Sequence, residues 1–247
     1  MHRIIILQLS FLLISGCSKS TQPTQPISTS NDELLRTQIV GQWKCSSSWN
    51  FTFNSDTTFI DSLFFGVSSP YVAHNELWYV VKGKYSINNG LLTFPQMELV
   101  FADTTHLLPV NFFEYYVFYP SQVVFTNGNL VLNVMNILLP VNGDGKSLNG
   151  NWEAENWIVQ IEREANLVTF FGKMKEDYHF DENSFKYSLT STNSFGSVYQ
   201  VESDSGSFTY TTNRLSFGSN ITIPTFINGE LLLNYVSSPI FTYEKVK

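Results

Sequence analysis

Charge is scarce in this chain: Asp, Glu, Lys and Arg together make up only 14% of its 247 residues, well under the usual quarter. The 14 basic residues form no cluster and are outnumbered by 21 acidic ones. Nucleic acid is therefore excluded as a partner, because phosphate binding needs a concentrated Lys/Arg footprint. Histidine is equally rare, with four in all and no His-x-x-x-His spacing or cysteine partner, which leaves no zinc motif. No Gly-x-Ser-x-Gly elbow occurs, and Gly145-Lys146-Ser147 lacks the glycine that a phosphate loop needs five positions earlier, where Pro140 stands. What is abundant is aromatic side chains, at 15%, and asparagine, with 22 residues. So many rings exclude a solvated, disordered chain. A surface of Asn, Ser and Thr favours strands and turns, since these residues compete with helical hydrogen bonds.

The N-terminus carries an address. His2 and Arg3 form a positive start, and Ile4 to Ile14 is an apolar run interrupted by Gln8 and Ser10. Its eleven residues fall short of the roughly 20 that cross a bilayer, so residues 1–16 read as a signal peptide. The following Ile14-Ser15-Gly16-Cys17 resembles the lipobox of bacterial lipoproteins. That resemblance implies a diacylglyceryl thioether on Cys17, cleavage before it, and acylation of the new amine by palmitate-type chains. Two or three such chains are enough for stable membrane anchoring. Ser18 in place of Asp implies sorting to the outer membrane of the cell envelope, on its periplasmic or surface face. Loss of residues 1–16 leaves 13 basic against 21 acidic residues, a charge of −8. Cys45 then stands alone, with no intrachain disulfide, as a small buried hydrophobe beside Trp43. Residues 17–30 are Ser, Thr, Gln and Pro with one charge, Lys19, and read as a flexible tether.

The remainder is written twice. After a short helix near Asn31–Arg36, Gly41-Gln42-Trp43 precedes the period-2 strand Trp49–Asn54, and Gly150-Asn151-Trp152 precedes Trp157–Glu162. Gly83-Lys84-Tyr85 and Leu92-Thr93-Phe94 are matched by Gly206-Ser207-Phe208 and Leu215-Ser216-Phe217. Phe125–Asn133 is matched by Phe226–Asn234, each with a central Asn-Gly of the kind that makes type I′ hairpins. A turn-rich stretch, Pro140–Ser147, places the boundary near residue 145. The expected architecture is all-β: two tandem small antiparallel barrels or sandwiches, residues 31–145 and 146–247, with the second able to fold by itself.

A short helix followed by Gly-x-Trp on the first barrel strand resembles the lipocalin-like (calycin-type) domains of Bacteroidetes-type envelope lipoproteins. That resemblance implies that Trp43 and Trp152 close the barrel bases, each under a basic residue from the last strand. Lys245 is placed to serve the second copy, and no basic residue ends the first.

Chemical candidates are few. On one strand face, Asp177, His179 and Asp181 have the alternation of a cation site, and equally of any solvated face. Glu153/Glu155 and Glu162/Glu164 have a glycosidase-like pairing, and equally that of a wet strand edge. Asp56-Thr57-Thr58, Asp61-Ser62-Leu63 and Asp103-Thr104-Thr105 resemble O-glycosylation acceptors of the Bacteroidetes. Phe112 to Tyr119 holds six aromatics in eight residues, so one strand face must meet a second domain, a protein or a ligand. Phe112, Tyr115, Tyr116 and Tyr119 are the candidate ligand-binding residues. These readings converge on a non-catalytic, membrane-anchored binding module for a small apolar or glycan ligand, with no cofactor or metal. The alternative is a structural or adhesion protein with filled barrels that binds other envelope proteins, and a glycan-active enzyme is a distant third.

Overall fold

The computed structural model describes residues 32–45, 49–65, 76–102, 112–142, 145, 147–163, 167–193, 196–211, 214–217, 220–227, 229–235 and 240–246. Cys17 and the whole signal and tether region lie outside them. Helix α1 (Asp32–Ile39) leads into β1 (Gly41–Cys45), β2 (Trp49–Phe53), β3 (Thr58–Phe65), β4 (Glu76–Asn88), β5 (Leu91–Ala102) and β6 (Phe112–Phe118). Then come β7 (Ser121–Thr126), β8 (Asn129–Val134), β9 (Asn136–Asn142), β10 (Gly150–Arg163), β11 (Leu167–Asp181) and β12 (Ser184–Asn193). The chain ends with β13 (Val198–Thr211), β14 (Arg214–Phe217), β15 (Asn220–Ile227), β16 (Glu230–Tyr235) and β17 (Ile240–Lys245).

These strands make two closed, eight-stranded antiparallel barrels, as the alternating patterns and hairpin turns imply. Barrel 1 runs β1, β2, β3, β4, β5, β7, β8 and β17 before returning to β1. Barrel 2 runs β10 to β16 and then β9, which closes back on β10. The division at residue 145 therefore needs correction at two strands. β9, expected in the first unit, belongs to barrel 2, and β17, expected in the second, closes barrel 1.

The cause is local. Only Met135 separates β8 from β9, too little chain for β9 to fold back beside β8 at the register the repeat would demand. The backbone instead runs on from one barrel into the next, with the Met135 N–H bonded to the Pro120 carbonyl at 2.9 Å. The seam this leaves in barrel 1 is filled by β17, through Leu130↔Tyr243 and Trp43↔Lys245.

The duplication survives this crossing. Gly41 and Gly150 both have φ of 134°, a value open to glycine and strained for other residues. Trp43 donates its indole N–H to the Ile39 carbonyl at 2.6 Å, and Trp152 donates to Leu148 at 2.8 Å. Both tryptophans are buried. Lys245 lies over Trp43, 5.2 Å from its ring centroid, and so serves the first barrel, contrary to expectation. The equivalent residue opposite Trp152 is Pro140, so the second barrel has no cation at that position. Asn127-Gly128 takes the expected left-handed turn, with φ of 54° and 81°.

α1 is tied to barrel 1 through its first residue. The Asp32 carboxylate accepts from the backbone N–H groups of Asn89 and Gly90, both at 2.8 Å, which suits an acid at a helix N-terminus. The far halves of β10 and β11 reach beyond barrel 2. There β10 pairs with β6 from Trp157↔Phe118 to Arg163↔Phe112, which adds β6 as a ninth strand to the sheet of barrel 2.

Candidate functional site

β6 lies between two apolar clusters. Phe118 and Tyr116 face the core of barrel 1, where Tyr116 lies 5.8 Å from Tyr79 and Phe118 packs edge-on to Phe94 at 5.8 Å. Val117 and Tyr119 pack on the opposite cluster of Ile158, Phe170 and Met174. Over residues 116–119 both faces are thus occupied from within the molecule. The side chains of Phe112 and Tyr115 lie outside the described residues. Beside the strip, Phe94, Phe118, Trp157, Lys173 and Glu155 line a cleft of about 200 Å³. In it Lys173 pairs with Glu155 at 3.0 Å and sits 4.0 Å over Trp157, whose N–H donates to the Phe94 carbonyl, and Asn156 also lines it.

Barrel 1 is filled with rings. Phe51, Phe53, Phe59, Tyr85 and Phe94 make stacked, tilted and edge contacts at 4.8–6.4 Å. Its buried acid is Asp61, placed by the alternation of β3 on the inner face, with the Tyr79 hydroxyl donating to it at 3.3 Å. Burial and the Asp61 charge push the Tyr79 hydroxyl well above its ordinary pKa. The Asp61-Ser62-Leu63 acceptor pattern therefore begins inside a core. Asp56 instead caps its own turn, bonding the Thr58 hydroxyl at 2.6 Å, and Asp103-Thr104-Thr105 lies outside the described residues.

Barrel 2 differs. The end nearest Trp152 is apolar, packed by Tyr178, Phe180, Phe185, Phe208, Phe217 and Leu231. Farther along, Glu176 is buried and accepts three hydrogen bonds: Asn136 at 2.6 Å, Tyr187 at 3.2 Å and Tyr178 at 3.3 Å. Its strand partner is Ala154, whose methyl group leaves room for Asn136 to reach across. Burial raises the Glu176 pKa, and the three donors oppose that rise. Beyond Glu176 the inner positions turn polar. Asn136 Oδ1, Asn156 Nδ2, Ser191 Oγ and Thr222 Oγ1 are all buried without a hydrogen-bond partner. They come from β9, β10, β12 and β15, at inward positions away from the Trp152 end. Met174 pairs in register with Asn156 on one side and with Ser191 on the other.

These residues were not singled out by motif, yet a signal exists. On β10 the inward series is Trp152, Ala154, Asn156, Ile158, with a lone amide in an apolar row; on β11 Glu176 falls in the row of Met174, Tyr178 and Phe180. The proposed cation trio is dispersed: His179 bonds Asn151 at 2.7 Å and Asp177 pairs with Lys175 at 2.9 Å. Glu153 also pairs with Lys175, at 2.9 Å, while the side chain of Glu162 and all of Glu164 lie outside the described residues.

Cys45 is buried in the barrel 1 core beside Trp43, as its neighbours imply, but it is disulfide-bonded and not a lone thiol. No protein-family model, curated protein or solved structure matches the chain.

Proposed function

We propose that this chain is a lipid-anchored, non-catalytic binding protein of the cell envelope, sorted to the outer membrane, with its ligand site inside barrel 2. The carrying observation is that four buried polar side-chain atoms, on β9, β10, β12 and β15 of barrel 2, have no hydrogen-bond partner. Each such atom costs about 1–3 kcal/mol when it stays unpaired, and a ligand's polar groups would relieve that cost. The anchor rests on Ile14-Ser15-Gly16-Cys17. Native mass spectrometry of protein extracted gently from its own membranes tests the reading. The expected result is a retained small molecule, lost on denaturation; bare protein mass in every preparation counts against it.

A second reading has its own support. Barrel 1 is closed by aromatic packing, as in a scaffold that engages other envelope proteins through its outer surface. Crosslinking in intact cells that joins the protein to one recurrent partner, without any retained ligand, favours this alternative.

A further inference from the structure

We infer that Asn127-Gly128 is a site of spontaneous covalent modification, deamidation through a succinimide, and that Asp32 exempts the same turn at Asn89-Gly90 from it. Asn-Gly is the dipeptide most open to this reaction, because glycine has no side chain to shield its backbone nitrogen from the asparagine amide. The glycine nitrogen gives up its proton and bonds to the asparagine Cγ, and ammonia leaves. Water then opens either carbonyl of the ring, giving aspartate or isoaspartate. The nitrogen must therefore be free both to lose its proton and to turn toward Cγ.

The fold presents this dipeptide twice in nearly the same turn. Asn89 and Gly90 join β4 to β5 with φ of 52° and 77°, and Asn127 and Gly128 join β7 to β8 with φ of 54° and 81°. Each turn is closed by a strand pair, Asn88↔Leu91 and Thr126↔Asn129. The surroundings differ. At the first turn the Asp32 carboxylate accepts from the N–H groups of both Asn89 and Gly90 at 2.8 Å. Gly90 is buried there, and its carbonyl accepts from the Val123 N–H at 2.9 Å. A carboxylate so close also opposes the negative charge that the Gly90 nitrogen must acquire. At the second turn Asn127 and Gly128 are exposed, and among the described residues none accepts from the Gly128 N–H. A Cβ added at Gly128 would meet nothing within 4 Å. Helix α1 thus guards one Asn-Gly hairpin through its first residue and leaves the other to solvent. Reaction at Asn127 adds a negative charge, and its isoaspartate form lengthens the backbone at the tip of a hairpin whose second strand, β8, holds β17.

The test is a timed incubation of the full chain in mildly alkaline buffer, with peptide mass spectrometry that reads residues 89 and 127 separately. Hydrogen exchange of the Gly90 and Gly128 amides reports the state of the clamp in the same samples. In the wild type Asn127 should convert about tenfold or more faster than Asn89, as expected where a charge-assisted hydrogen bond must first open. The Gly90 amide should exchange more slowly than that of Gly128 by a similar factor. Asp32→Ala should raise the Asn89 rate toward that of Asn127 and leave Asn127 unchanged. Asp32→Asn, which keeps an acceptor without the charge, should fall between. Asn127→Gln should remove the fast product. Equal rates at the two positions in the folded wild type, or no conversion at Asn127, overturns the inference. So does an Asn89 that stays intact in Asp32→Ala while its Gly90 amide exchanges as fast as that of Gly128. Should Asp32→Ala loosen barrel 1 as a whole, the Asn127 rate rises with it, and the wild-type and Asp32→Asn rates decide on the same terms.

Discussion

Glu176 is the side chain whose protonation the barrel itself sets. Burial raises its pKa above the ordinary 4.5. Between these two values the folded protein holds a proton that the unfolded chain has released. The stability Glu176 provides is thus complete below about pH 4.5 and is lost as pH climbs through the folded pKa. Glu176→Gln cannot ionise. Urea unfolding from about pH 4 to 7 should show wild type losing stability relative to this variant as pH rises; a constant gap would mean the carboxyl ionises at its ordinary pKa. Glycine supplies a second test at this scale. A Cβ at Gly83 would lie 1.9 Å from the Gln96 carbonyl oxygen on the paired strand. Gly83→Ala should therefore destabilise by about 1–3 kcal/mol or more, read from denaturant midpoints, through forced separation of β4 and β5. Gly83 was visible as a repeat position, matched to Gly206, but nothing in the sequence said that a strand passes so near it.

At the scale of elements, the crossing of β9 and β17 governs what can fold alone. Residues 146–247 contain β17, which has no place in barrel 2, and lack β9, which closes it. That fragment should give no cooperative unfolding transition by circular dichroism, whereas residues 135–236 carry all eight strands of barrel 2 and should unfold cooperatively. The opposite pair of results would mean that β9 is dispensable. Deleting 239–247 should open barrel 1 between β1 and β8. The bare edges are templates for pairing with other chains, so aggregation at micromolar concentration is the expected readout in light scattering. The hairpins were legible because Asn-Gly turns are local. Strand exchange was not, since it depends on a one-residue connector and on which distant edge lies open.

For the whole molecule, the fate of Cys17 decides where the protein resides. If the lipobox is processed, the mature protein carries a thioether on Cys17. Cys17→Ser should then move the protein from membrane to soluble fractions, and intact mass should show acyl chains on the wild type. If wild type and Cys17→Ser fractionate alike, and the wild type's intact mass shows no acyl chain, the anchor is wrong. The chain's net charge of −7 offers no electrostatic substitute for a lipid, since anionic membrane surfaces attract basic segments.

Sequence alone determined the class of fold, the duplication and its signature residues. Alternating aromatics, paired Gly-x-Trp motifs and Asn-Gly turns are short-range features, and backbone sterics with side-chain periodicity read them directly. Only the tertiary structure decided three other matters. It assigned Lys245 to Trp43 in place of Trp152, because strand closure joins the chain's ends across the first barrel. It placed the aromatic strip between two cores, because β6 pairs with β10 far along the chain. And it buried Asn136, Asn156, Ser191 and Thr222, each with one polar atom left unpartnered. Each of these is an ordinary polar residue in its own strand, and only the closing of the barrel turns their side chains toward a shared interior without enough partners.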